Sequence, residues 1–175
     1  QRIHANAFRS DERGASLGMF YMTLCRWCGF DPWRGEEWKV MGLASYASPD
    51  PALYDAFRRY IACEGLNIYY PDTSLRALRV IAEYVQRCGA DRQGLAALAA
   101  AGQKRFAELM DSVLCGLHEA TGMVNLVLAG GCALNSSYNG RALQHTPFER
   151  LHVFSAPADD GNAIGAALLA FRDDG

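Results

Sequence analysis

Three short stretches of this chain carry residue types and spacings that could do chemistry. The first is Ala129-Gly130-Gly131, directly after the apolar run Val124-Asn125-Leu126-Val127-Leu128. A strand that ends in glycines and turns into a helix lets backbone N–H groups approach a bound anion or nucleotide, because no Cβ stands in the way. A plain tight turn would leave the same trace in the sequence. The second stretch is Asp159-Asp160-Gly161-Asn162, after another short apolar segment. Carboxylates there can bind a divalent cation or accept from ribose hydroxyls. One of them could equally be the N-cap of the helix that follows. The third is Glu36-Glu37-Trp38-Lys39, close to Gly35 and Gly42. It reads as an acidic helix start, which the helix dipole favours.

Other reactive side chains are poorer candidates. His118 and His145 lie in helical contexts without ligand-spaced partners, and His4 and His152 lie on predicted strands. No catalytic role is assigned to them. Ser16 has no base near it in sequence, which leaves it without the partner a serine nucleophile needs. The six cysteines are scattered. Cys25-Arg-Trp-Cys28 has CxxC spacing, but no second pair accompanies it and it falls inside an amphipathic helix. Zinc or redox chemistry is therefore set below the reading of two small buried side chains.

The elements that must position these stretches follow from periodicity. Ile3 to Phe8 alternates and reads as an edge strand of a hairpin. A helix capped by Ser16 carries Leu17, Phe20, Tyr21, Leu24 and Trp27/Cys28 at helical spacing and ends at Gly29. A second helix is predicted over Glu36 to Tyr46, with Trp38, Val40, Met41 and Leu43 on its core face. A third covers Ala52 to Cys63. Leu66 to Tyr70 is a short strand, followed by a helix from Thr73 or Ser74 to Arg87, closed by Gly89. Asp91 caps Leu95 to Ala101, Gly102 interrupts, and a longer helix runs from Gln103 to Ala120. The last third reads as a buried strand Val124–Leu128, a helix Ala133–Leu143, a strand Leu151–Phe154 and a helix Ala163–Phe171. Short apolar strands alternating with helices are the pattern of a parallel sheet with helical crossovers. Ligands in such sheets lie off the carboxyl ends of the strands, where Gly130-Gly131 and Asp159 both fall.

Bulk properties narrow the classes. The 175 residues are half apolar and 21% charged, an ordinary globular composition. The net charge of −2 and the lack of a basic tract argue against nucleic-acid binding. No apolar run has the length of a membrane span and no secretory leader is visible, so a reducing, cytoplasmic setting is expected. The chain starts at Gln1 among polar residues and reads as a piece of something longer.

Four ordered stretches carry a family resemblance: SLGMFYMTLCRWCGF (16–30), GEEWKVMGLASY (35–46), LAGGCALNSSYNGRAL (128–143) and DDGNAIGAALLA (159–170). Together they resemble the O-carbamoyltransferases, among them nodulation-factor and antibiotic-tailoring enzymes. The resemblance covers nearly the whole chain and is loosest from Asn67 to Ala101. It implies a helix-rich α/β fold with a short parallel sheet. That fold would be part of a domain related to the threonylcarbamoyl-tRNA synthases, in the actin, sugar-kinase and heat-shock ATPase (ribonuclease H-like) superfamily.

The activity implied is transfer of a carbamoyl group from carbamoyl-adenylate to a hydroxyl of a small, sugar- or antibiotic-like acceptor. The adenylate is formed from carbamoyl phosphate and ATP in a separate C-terminal domain. By position, Gly130, Gly131 and Asn135 match the adenosine-contacting motif, Glu37 and Lys39 match the helix that faces the nucleotide, and Asp159 matches a metal-ligand aspartate. The metal would be divalent, iron or another transition metal. Most of its ligands, including an HxxxH histidine pair, are expected on a preceding part of the enzyme. Cys132 stands where the family usually has Val. The chain then corresponds to a partial carbamoyl-transfer domain: a hairpin remnant and loop over 1–15, a mainly helical part over 16–122, and a βαβα nucleotide- and metal-binding part over 123–175. Its expected partners are the rest of the same enzyme and the hydroxyl acceptor, with association through exposed sheet edges. Alone, it is expected to be inactive. The alternatives are a nucleotide-binding half-domain that regulates or scaffolds, and a phosphotransferase on the same superfamily fold.

Overall fold

A computed structural model describes residues 14–174, and the predicted strand Ile3 to Phe8 lies outside them. The chain divides into two compact units, one ending at Ala120 and the other beginning at Thr121.

The first unit is helical, with one small hairpin. Helix α1 (Leu17–Trp27) opens where Ser16 Oγ accepts from Met19 N, as its cap position requires. A turn at Pro32–Arg34 leads to α2 (Trp38–Ala44). Helix α3 (Pro51–Tyr60) is capped by Asp50, whose carboxylate takes Leu53 N at 2.9 Å. The predicted extension of this helix to Cys63 is incorrect. Ile61 is extended, and Ala62–Glu64 forms β1, paired antiparallel with β2 (Asn67–Tyr69). Gly65, at φ +57°, makes the turn between them. Gly14 bridges Tyr69 at the other edge of β2. Helix α4 (Ser74–Cys88) packs along α3.

Helix α5 (Arg92–Thr121) is continuous, so the break expected at Gly102 does not occur. Its start is held by Asp91, whose carboxylate accepts from Gly94 N at 2.9 Å. Gly102 is there for packing. A Cβ on it would lie 2.4 Å from Leu24 Cδ2, so the missing side chain is the seat for α1. Aromatic contacts fix the same arrangement: Phe20 meets Phe57 edge-on at 5.8 Å, and Tyr21 meets Phe106 at 5.0 Å. Phe20, Leu24, Phe57, Ile81, Leu98 and Phe106 are buried at the centre of this unit. Tyr21 also donates its hydroxyl to Gln103 Oε1 at 2.6 Å, so a polar pair is satisfied on the α1–α5 contact.

The second unit holds the parallel pair. Strands β3 (Asn125–Leu128) and β4 (Arg150–Val153) run in register from Asn125 beside Arg150 to Leu128 beside Val153, as the crossover argument predicts. The strand is less buried than expected: Leu126 is inside, but Val127 is 68% exposed. The single crossover helix predicted over Ala133–Leu143 is instead a 3₁₀ turn (Gly131–Leu134) and two short helices, α6 (Ser136–Asn139) and α7 (Ala142–His145). Asn135, at ψ 85°, breaks the helical path, and its side chain caps α6. Asn139 Nδ2 then ties back to Ala133 O at 2.7 Å. Tyr138 and Ala142 are fully enclosed, with Phe148 and Ala133 beside them in the buried set. Helix α8 (Gly161–Asp174) ends the described chain. Among the described residues, no helix is long and apolar enough to cross a membrane.

Candidate functional site

The rim of the parallel pair is built by two loops. Leu128 and Val153 are the last paired residues of β3 and β4, and both strands point the same way. Ala129–Gly131 and Phe154–Asp160 therefore leave from the same end of the sheet. One hydrogen bond locks them together: Gly130 N donates to Pro157 O at 2.6 Å. Gly130 reaches that position at φ +92°, where a Cβ would be strained. Pro157 is buried, and its carbonyl is the anchor of the Asp159 loop.

Gly131 lies next to this lock. A Cβ built on it meets no atom within 4 Å, so no packing in the described structure demands a glycine there. Asp159 is exposed. Its backbone carbonyl accepts from Asn162 N at 3.2 Å, while its carboxylate makes no hydrogen bond with the described residues. Side-chain capping of α8 is thus not what occupies Asp159. Asn135 differs from these: it is 5% exposed, and its Oδ1 accepts from Tyr138 N at 3.0 Å. That oxygen holds the turn after the glycines, so Asn135 shapes the rim from within.

Two residues of the rim have no role assigned from the sequence. One is Pro157, which acts through its carbonyl. The other is Gly161, where a Cβ would fall 2.1 Å from Ala156 O. Only glycine lets the Asp159 loop fold back on itself before α8. The run Asp-Asp-Gly held that signal, since a glycine at a helix entry often marks close backbone approach.

Glu37 and Lys39 belong to the first unit. Glu37 stands at the N-cap position of α2 without a side-chain capping bond, and it is half-buried. Lys39 Nζ is 2.6 Å from Glu36 Oε1. It also lies 5.6 Å from the centre of the Phe30 ring and 5.8 Å from that of Trp38. Trp38 was expected in the core and is instead 63% exposed, because α2 turns Val40 inward and leaves the indole beside the ammonium. Glu36 Oε2 accepts from Asp31 N at 2.9 Å. That backbone bond, then the Lys39 ammonium, holds the Glu36 carboxyl below the usual carboxylate range.

The CxxC pair behaves as small buried side chains. Burial pushes the Cys25 thiol up to about 11, with Glu37, Glu36 and Asp31 adding to it, and burial pushes Cys28 up to about 12. Neither thiol supplies a thiolate at neutral pH. Among the described residues, no three His, Cys, Asp or Glu side chains converge to hold a metal ion. Asp159 and Asp160 do not make up a transition-metal centre by themselves.

Comparison with known proteins identifies the family. The chain is 35% identical over 157 residues to nodulation protein NolNO of Sinorhizobium fredii, an alignment covering 88% of this chain and 22% of that protein. It is 34% identical over 157 residues to nodulation protein NolO of Bradyrhizobium diazoefficiens, covering 88% of this chain and 28% of the relative. An uncharacterised protein of Methanocaldococcus jannaschii is 31% identical over 159 residues, 90% of this chain and 26% of its own length. The chain thus spans about a quarter of the length of the curated relatives it matches. The family described as the carbamoyltransferase N-terminus matches residues 2–168, and the chain belongs to that family.

Proposed function

We propose that this chain is part of an O-carbamoyltransferase that receives carbamoyl-adenylate and passes its carbamoyl group to a hydroxyl of a small acceptor. The observation that carries the reading is the Gly130–Pro157 hydrogen bond, which brings an open glycine and a carboxylate without a hydrogen bond to the described residues onto one sheet rim. Adenylate phosphate and ribose need close backbone approach and few obstructing side chains, and Gly131 leaves that room. In the transfer step the acceptor oxygen forms a bond to the carbamoyl carbon. The bond from that carbon to the phosphate oxygen breaks, AMP leaves, and the hydroxyl proton passes to solvent or to the leaving phosphate.

The roles proposed for this chain's residues are binding roles. Gly130, Gly131 and Asn135 form the adenosine-side wall, Asn135 through the turn it caps. Glu37 and Lys39 are proposed nucleotide contacts in the first unit. Asp159 is proposed as one carboxylate ligand of a divalent cation, with the remaining ligands supplied from outside the described residues. Its open position and lack of competing hydrogen bonds support this.

The test separates the two half-reactions in the full polypeptide its gene encodes. Asp159→Asn keeps the side-chain volume and removes the charge. Carbamoyl transfer to the acceptor should fall by about a hundredfold, a loss typical of one removed charged group at a reacting centre. ATP- and carbamoyl-phosphate-dependent adenylate formation should stay near its original rate. Unchanged transfer in this variant would remove Asp159 from the site.

A further inference from the structure

We infer that Glu36 is a positioning residue for Lys39. This rests on the nucleotide reading of Lys39 proposed above and extends it to a neighbour with no role assigned so far. The Glu36 carboxylate spans two parts of the first unit. Oε2 takes the Asp31 N–H at 2.9 Å, and Oε1 takes Lys39 Nζ at 2.6 Å. The backbone repeats the link, since Glu36 N donates to Asp31 O at 3.3 Å and Lys39 N donates to Glu36 O at 2.9 Å. Glu36 is therefore fixed at both ends, to the loop before α2 and to the first turn of α2.

The consequence falls on Lys39. A lysine side chain has several free torsions, and ordering them costs entropy when a ligand is met. Here the ammonium already sits among Glu36, Phe30 and Trp38. About a third of the Lys39 side chain and a quarter of that of Glu36 remain exposed. An ammonium has three N–H donors, and Glu36 takes one. The others make no hydrogen bond with the described residues and can meet a ligand, in a direction that Glu36 and the two rings set. Glu37, beside it in sequence, cannot do this work, because its side chain makes no hydrogen bond or ion pair with the described residues.

The experiment is a double-mutant cycle read by titration calorimetry with a non-hydrolysable carbamoyl-adenylate analogue on the full polypeptide its gene encodes, using Glu36→Gln, Lys39→Met and the pair. Glutamine keeps the size and an acceptor for Asp31 N–H, so the melting temperature should hold while the ammonium loses its charged partner. Affinity for the adenylate analogue should fall about twofold to tenfold in Glu36→Gln, the factor for re-freezing one long side chain. Lys39→Met should lose more, and the double variant should match Lys39→Met alone. Unchanged or tighter binding of the adenylate analogue in Glu36→Gln overturns the inference, and so does an additive loss in the pair. An inert Lys39→Met also overturns it. In that case Gly131→Val, which leaves Lys39 untouched, shows whether the nucleotide reading itself survives.

Discussion

Gly102 and Gly131 are glycines for opposite reasons, and the contrast separates the two units. At Gly102 the space is already taken: Leu24, itself fully buried, lies 2.4 Å from where a Cβ would be. At Gly131 a Cβ would meet no atom of the described residues within 4 Å beyond its immediate chain neighbours. The first glycine is explained by the packing of α1 on α5. The second is unexplained by packing, and a ligand is the reason proposed here for its lack of a side chain. A similar difference separates the core of the first unit from α8. Phe20, Phe57 and Phe106 are buried, whereas Ile164, Leu168, Leu169 and Phe171 of α8 are 41 to 81% exposed.

The strongest way to break this contrast is a matched pair of truncations. Phe57→Ala removes a ring that is fully buried between Phe20 and Trp27. It should destabilise the first unit by about 3–5 kcal/mol, the usual loss of transfer energy plus a cavity. Phe171→Ala removes a ring that is 81% exposed and should stay within about 0.5 kcal/mol. Urea titration followed by near-ultraviolet circular dichroism reads both. Comparable losses would mean that α8 is covered in solution and that the two regions do not differ as described.

A smaller effect is expected at Gly102. An alanine there must displace the Leu24 methyls, and Leu24 is enclosed and cannot swing away. Overpacking of this kind costs about 1–3 kcal/mol, partly offset by the better helix propensity of alanine, about 1 kcal/mol. Leu24→Ala in the same chain should absorb the clash, so the double variant should lose clearly less than the sum of the single changes. Additive losses would show that Gly102 is not the seat of Leu24.

What the sequence could show followed from period and local chemistry. Leu17 to Cys28, the Ser16 and Asp91 caps and the two parallel strands are local patterns, and they appear where periodicity places them. Some errors involve a partner on a distant element, and others come from local turns, such as the Asn135 cap that breaks the crossover helix. Gly102 looked like a helix break because its partner, Leu24, lies on another helix. Ala62–Glu64 looked helical because nothing nearby announces pairing with Asn67–Tyr69 except Gly65. Trp38 looked like core because an indole usually is, yet it flanks Lys39 at the surface. For the site, the residue types at the two strand ends could be read from the sequence, each beside a plain structural alternative: a tight turn for the glycines and a helix cap for Asp159. The Gly130–Pro157 bond and the Gly161 fold-back could not, because a backbone carbonyl leaves no trace in the identity of its residue.

The smallest expected effect on stability is also the most informative about function. Gly131→Val places a branched side chain where no atom of the described structure meets it. Gly131 starts the 3₁₀ turn, and unlike Gly130 it does not need a left-handed backbone. The variant should therefore fold with a loss of no more than about 0.5 kcal/mol, as surface substitutions usually do. If that space belongs to a nucleotide, the valine methyls will occupy part of it. Affinity for a non-hydrolysable carbamoyl-adenylate analogue should then drop about tenfold or more, against an almost unchanged melting curve. Gly102→Ala should show the reverse: a lower melting temperature, with analogue affinity retained in the folded fraction. A valine at position 131 that destabilises the chain but leaves analogue binding intact would make Gly131 a folding residue like Gly102, and the nucleotide assignment of the rim would fall with it.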